Sequence, residues 1–185
     1  LTVSTTVLPA TDCRGQAIFR ITTLAAGSYI SCNSLSVLGG TSADTNAYAQ
    51  FEIQSGALRL LAPGGITVYA GVSNNNNAII TANGDMTFGQ TANPTGHIRV
   101  EGRTGNARIE GTLATTFMTF DSTSLDILGG NNDWGYAQIS GIAGPPHPTL
   151  VMNISGNVNI TGGSTPGIVL PYATITQFDN VDMNI

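Results

Sequence analysis

Lysine is absent from this chain: its basic residues are Arg14, Arg20, Arg59, Arg99, Arg103 and Arg108, against 11 acids, for a net charge of −5. Neutralising phosphates takes a basic face, so no nucleic-acid partner is expected, and an anionic membrane surface is disfavoured for the same reason. No apolar run approaches the ~20 residues of a membrane-spanning helix, so no membrane insertion is expected. Histidine is scarce, with only His97 and His147, and the Gly-x-Ser-x-Gly turn of many serine hydrolases does not occur. Glycine pairs such as Gly39-Gly40 and Gly162-Gly163 lack the lysine that a phosphate cradle needs. Of the two cysteines, neither Cys13 nor Cys32 has neighbours at metal-ligand spacing, so neither a metal nor a cofactor is expected. They form either a disulfide, implying an oxidising compartment, or two separate buried thiols; the spacing leaves both open. With one Trp and six Phe, the core must come from Val, Ile, Leu, Ala and Met. Because the chain begins at Leu1 rather than Met, a processed or trimmed product is expected.

Gly, Ser, Thr and Asn fill the space left by charge. Only 9% of residues are charged and 41% are hydrophobic, while Gly alone contributes 23. Isolated helices lean on Ala, Leu, Glu, Lys and Arg, so this mixture argues for short strands joined by tight turns. A turn followed by apolar–polar–apolar alternation recurs at Gly64-Gly65-Ile66-Thr67-Val68, Gly84-Asp85-Met86-Thr87-Phe88, Gly105-Asn106-Ala107-Arg108-Ile109 and Gly156-Asn157-Val158-Asn159-Ile160. Each reads as the returning strand of a hairpin, with Leu58 and Leu60 facing Val68 and Ile66, and Met152 and Ile154 facing Ile160 and Val158. A hairpin turning at Arg103–Asn106 would set Glu101 opposite Arg108 and Arg99 opposite Glu110. Asn74–Asn77 and the segment Gly144-Pro145-Pro146-His147-Pro148 read as exposed loop tips, and Val181–Ile185 as a last strand.

The chain also repeats itself. Ser34-Leu35-Ser36-Val37-Leu38-Gly39-Gly40 returns as Ser124-Leu125-Asp126-Ile127-Leu128-Gly129-Gly130, and Tyr48-Ala49-Gln50 as Tyr136-Ala137-Gln138. A third block aligns Leu58 and Leu60 with Leu150 and Met152 in the same order. The expected architecture is therefore all-β, built of antiparallel hairpin repeats of the β-sandwich or β-prism type, with two duplicated units. Residues 1–14 form an N-terminal strand or arm, 15–78 the first unit, 79–104 connecting hairpins, 105–165 the second unit and 166–185 a C-terminal strand.

Asn83-Gly84-Asp85-Met86-Thr87-Phe88 and Ser155-Gly156-Asn157-Val158-Asn159-Ile160-Thr161-Gly162 resemble the texture of bacteriophage tail fibres and related trimeric virion proteins. That resemblance covers residues 56–165 and rests on degenerate motifs; no collar motif, His-x-His repeat or self-cleaving chaperone end accompanies it. It implies three chains wrapped into a β-prism, an intertwined β-helix or a knob, which holds a virion together or binds a host-surface glycan. A hairpin repeat with one apolar face points the same way, because it must stack on neighbours or on other copies.

One loop suits sugar recognition. Asn131, Asn132, Asp133, Trp134 and Tyr136 set a flat aromatic beside amide and carboxylate groups, where a ring can stack and hydroxyls can hydrogen-bond. No catalytic residues are assigned, because no pair of acids forms a recognisable motif and Glu101 and Glu110 have arginine partners. The expectation is a non-enzymatic structural virion protein (fibre, spike or capsid decoration) at the virion or outside the cell. Its expected partners are two further copies, other virion or surface proteins, and a glycan. The alternatives are a glycan-degrading spike enzyme and a subunit of an extracellular surface layer or filament.

Overall fold

The computed structural model describes residues 1–4, 16–40, 47–73, 76–112, 115–130, 135–141, 148–163 and 172–185. No helix occurs among them, and none is therefore long and apolar enough to cross a membrane. The strands follow in groups of three. A first coil holds β1 (Thr2–Ser4), β2 (Gln16–Ile21) and β3 (Ile30–Ser31), and a second holds β4 (Leu35–Leu38), β5 (Tyr48–Ile53) and β6 (Leu58–Leu61). A third holds β7 (Ile66–Tyr69), β8 (Ala78–Ala82) and β9 (Met86–Phe88). A fourth begins with β10 (Thr95–Glu101) and β11 (Ala107–Gly111) and ends in the first half of β12 (Phe117–Leu128). The second half of β12 opens a fifth coil, completed by β13 (Ala137–Ser140) and β14 (Thr149–Ile154). β15 (Val158–Thr161), β16 (Ala173–Thr176) and β17 (Asn180–Asn184) make the sixth.

Each strand pairs with its counterpart one coil away, and every pairing between named strands is parallel. Partners lie from 27 residues apart (Ile98 and Leu125) to 36 apart (Ala137 and Ala173). The result is a three-faced parallel β-solenoid. Face A stacks β1, β4, β7, β10, the end of β12 and β15; face B stacks β2, β5, β8, β11, β13 and β16; face C stacks β3, β6, β9, the start of β12, β14 and β17. Because β12 runs on from face C to face A without a corner, those two faces form one continuous sheet.

The all-β expectation holds, but the antiparallel hairpins do not form. Leu60 pairs in register with Phe88 and Ile30, and Ile66 with Leu35 and Ile98. Alternation fixes which side chains point inward, and it is the same for a hairpin and for two faces meeting at a corner. What favours the corner is burial: three faces curled on one another cover their own apolar sides, which a lone hairpin cannot do. Segment 79–104, expected as connecting hairpins, carries β9, β10 and most of β8, which extend the same ladders. The repeated blocks have a geometric counterpart. Leu35 and Leu125, Ala49 and Ala137, and Leu58 and Leu150 each hold the same place in one ladder, three coils apart.

The core is a set of inward rows. Every face B strand carries alanine at its first or second position (Ala17, Ala49, Ala78, Ala107, Ala137 and Ala173), followed two residues later by Phe19, Phe51, Ile80, Ile109, Ile139 and Ile175. Face C contributes Leu58 and Leu60, Met86 and Phe88, Met118 and Phe120, then Leu150 and Met152, all without exposed surface. The Phe88 and Phe120 rings stack with centroids 4.8 Å apart, which is the spacing of neighbouring strands. Corners need residues that let backbones touch. A Cβ on Gly71 would lie 1.9 Å from the Gly40 carbonyl oxygen, and Gly65, at φ +102°, sits under the His97 carbonyl. The asparagine run is not wholly an exposed tip: Asn76 is fully buried, its Nδ2 donating to the Gly40 carbonyl and its Oδ1 accepting from the Ala47 N–H.

Candidate functional site

With apolar residues inward, function falls to the outward rows. On face A, register aligns Ser36, Thr67, Arg99, Asp126 and Asn159 in one row. The charge pairs expected across a hairpin are instead formed along single strands. Arg99 binds Glu101, its Nε 2.6 Å from Oε2, and Arg108 binds Glu110 at 3.0 Å. Residues two apart on a strand share a face, so the same four residues satisfy one another without the ribbon.

Beside Arg99, His97 reaches from β10 to β12. Its Nδ1 lies 2.6 Å from Ser124 Oγ and its Nε2 lies 3.3 Å from Asp126 Oδ2. With the proton on Nε2, the ring donates to the carboxylate and accepts from the hydroxyl, which is the order a base-activated serine requires. The setting differs from a reaction site, because the imidazole is 44% exposed on an open sheet face. The backbone N–H groups of a ladder strand are also committed to neighbouring coils, so they are not aimed at a developing oxyanion. His97 thus ties β10 to β12 as a cross-strand surface residue.

A concave site of about 510 Å³ lies beside the middle of β12, where the strand passes from face C to face A. Thr91 and Pro94, from the connection before β10, form one wall. The floor is an in-register row of Asp121, Asn153 and Asn184 on β12, β14 and β17. Asn153 Nδ2 donates to Asp121 Oδ1 at 2.6 Å, and Asn184 Nδ2 donates to Asn153 Oδ1 at 2.9 Å. Asp121 is 7% exposed and the relay runs outward from it to the solvent-exposed Asn184. Ile154 and Met183 supply apolar flanks. The volume and the few convergent polar groups on an apolar background suit a small ligand or part of a chain ligand. Sequence reading missed this row because its members are 31 and 32 residues apart, and only the ladder register brings them together.

Of the residues predicted for glycan contact, Asn131, Asn132, Asp133 and Trp134 lie outside the described residues. Tyr136 is half-buried at the corner before β13, with its ring stacked on Tyr172 at a centroid distance of 4.9 Å and 2° between planes. Burial raises the Tyr172 phenol above its usual pKa, the Tyr136 phenol adds to this, and the Arg108 guanidinium opposes it. Cys32 is half-buried against the core at the start of the corner after β3. Cys13 lies outside the described residues, as does His147. No cluster of three metal-ligating side chains occurs among the described residues. No family model, curated protein or solved structure matches the chain.

Proposed function

We propose that this chain is a structural protein, a rigid solenoid segment of a virion fibre, spike or capsid decoration that works outside the cell. The observation that carries the reading is the in-register stacking of all described strands into one column with a continuous core. A column of this kind transmits shape and load along its axis, because each coil is held by backbone ladders to the coils on either side.

Three copies pack laterally through face C. The middle of one outward row, Thr87, Thr119 and Val151, is uncharged between Arg59 at one end and Asp182 at the other, and Phe117 stands 52% exposed at the start of β12. Threonine and valine on a flat ladder suit sheet-to-sheet contact, and a three-fold axis closes it. Light scattering on the native chain tests this: a trimer that Thr119→Glu converts to smaller species supports the reading. A native monomer at all concentrations would reject lateral association.

The groove over Asp121, Asn153 and Asn184 is the site at which such a column meets a surface glycan, since amide and carboxylate groups in a line match successive hydroxyls. Binding to a glycan array that Asn153→Ala removes would support it; binding unchanged by that substitution would move the contact elsewhere.

A further inference from the structure

Asp121 is the only acid lining the groove, and its hydrogen bonding is incomplete. Oδ1 accepts from Asn153 Nδ2, while Oδ2 has no hydrogen-bond partner among the described residues. The residue keeps only 7% of its surface. β12 and β14 each pair on both sides, so Asp121 and Asn153 stay on the outer surface of the column whatever stacks above or below. A carboxylate taken this far out of water needs a cation or several donors to offset its lost hydration. The chain supplies one amide. It has no lysine, and among the described residues Arg20, Arg99 and Arg108 bind glutamates while Arg59 and Arg103 lie over the rings of Tyr29 and Tyr69.

We propose that the groove selects a glycan carrying a free amino group, whose ammonium sits on Asp121; this rests on the glycan reading above and names the class of sugar. An ammonium brings the missing charge and three donors, whereas a hydroxyl brings one donor and no charge. Charge-assisted hydrogen bonds are about twice as strong as neutral ones, and a carboxylate in a dry setting gains most from them. A uronate or a sulfate at this place would instead set like charges together, with no cation between them.

The rest of the groove suits the same ligand. Asn153 turns an N–H toward Asp121 and leaves its Oδ1, which accepts from Asn184, with a lone pair to spare. The two acceptors stand in one row, a strand spacing of about 4.8 Å apart. An ammonium and the hydroxyl beside it on one sugar ring can therefore donate to both. Pro94 and Ile154 line the groove as apolar surface for the C–H face of that ring. One carboxylate matches one ammonium, whereas Ca²⁺ takes about six to eight oxygens, and no cluster of three metal-ligating side chains occurs among the described residues.

The experiment titrates the full chain calorimetrically with two chito-oligosaccharide tetramers, one fully deacetylated and one fully N-acetylated. They share a backbone and differ in the free amine. The native chain should bind the deacetylated tetramer about ten-fold more tightly, the margin of a charge-assisted over a neutral hydrogen bond. Asp121→Asn keeps an oxygen for Asn153 and removes the charge, so the preference should vanish while circular dichroism stays that of the native chain. Asp126→Asn removes the same charge from face A and should keep the preference, which separates the groove from general attraction to a chain of net charge −5. A readout without substitution is the Asn153 side-chain amide signal in NMR, which should move with the deacetylated tetramer. A preference that survives Asp121→Asn, one that Asp126→Asn removes equally, or an unmoved Asn153 signal would overturn the proposal. Tight binding of the N-acetylated tetramer that Asn153→Ala abolishes would reject the amine and keep the glycan site. Binding of neither tetramer would also reject the amine, and the glycan array then decides the wider reading separately.

Discussion

Asn76 shows what a single side chain does at a corner. Its amide joins the Gly40 carbonyl, which also accepts from the Val72 N–H at 3.4 Å, in one direction and the Ala47 N–H in the other. Asn76→Ala should therefore cost about 1–3 kcal/mol in urea unfolding, the penalty of burying the Ala47 N–H without the Asn76 oxygen. Nothing in a run of four asparagines marks which one turns inward, because that depends on the coil beneath it. Tyr172 makes a second prediction. Its phenol ionises above the usual 10 in the folded chain because it is partly desolvated and stacked on Tyr136. Unfolding then releases a proton at pH values between the unfolded and the folded pKa. The stabilisation is complete below pH 10 and is lost as pH rises through the raised value. Tyr172→Phe should flatten the decline in Tm above pH 10, read by circular dichroism.

At the scale of elements, strand type was legible and strand partnership was not. Alternation in Leu58–Leu61, Ile66–Tyr69 and Ala107–Gly111 reports which residues face the core, and each does so in the structure. It is silent on whether the next strand returns alongside or turns away, so tight glycine turns read as hairpins when they are corners. Arg99, Glu101, Arg108 and Glu110 were equally ambiguous, since a pair two residues apart on one strand and a pair across a ribbon leave the same letters. Packing between ladders carries the stability. Phe120, fully buried and stacked on Phe88, should cost about 3–5 kcal/mol as Phe120→Ala. Phe19→Ala at the open end should cost clearly less, because that ring keeps a third of its surface in water. Urea midpoints of the two variants check the ordering.

For the molecule as a whole, the repeat seen in sequence was three coils long. The second and fifth coils share Leu-Gly-Gly at one corner, whereas the third has Tyr69-Ala70-Gly71 and the fourth Glu101-Gly102. A corner asks only for small residues, so neighbouring coils diverge in letters while keeping the same path. Coil lengths that vary between 27 and 36 residues blur the shorter period further. The candidate site was less legible still, because Asp121, Asn153 and Asn184 become one feature only once coils are stacked. Nearest-neighbour stacking also sets how stability is distributed. In dilute solution, amide exchange should be slowest in β7, β8, β10 and β11 and fastest in β15–β17, whose outer sides are open.

The register has a consequence for heredity. Removing residues 66–97 would lay β4 against β10, β5 against β11 and β6 against β12, with inward and outward rows still in phase. Losing one residue within β10 would instead turn Arg99 and Glu101 toward the core. Corners absorb single residues, but the column's own length changes in whole turns of about 30 residues, each worth about 4.8 Å along the axis. Such a gene behaves as a ruler whose graduations are coils, lengthened or shortened by duplication and deletion while its walls stay the same.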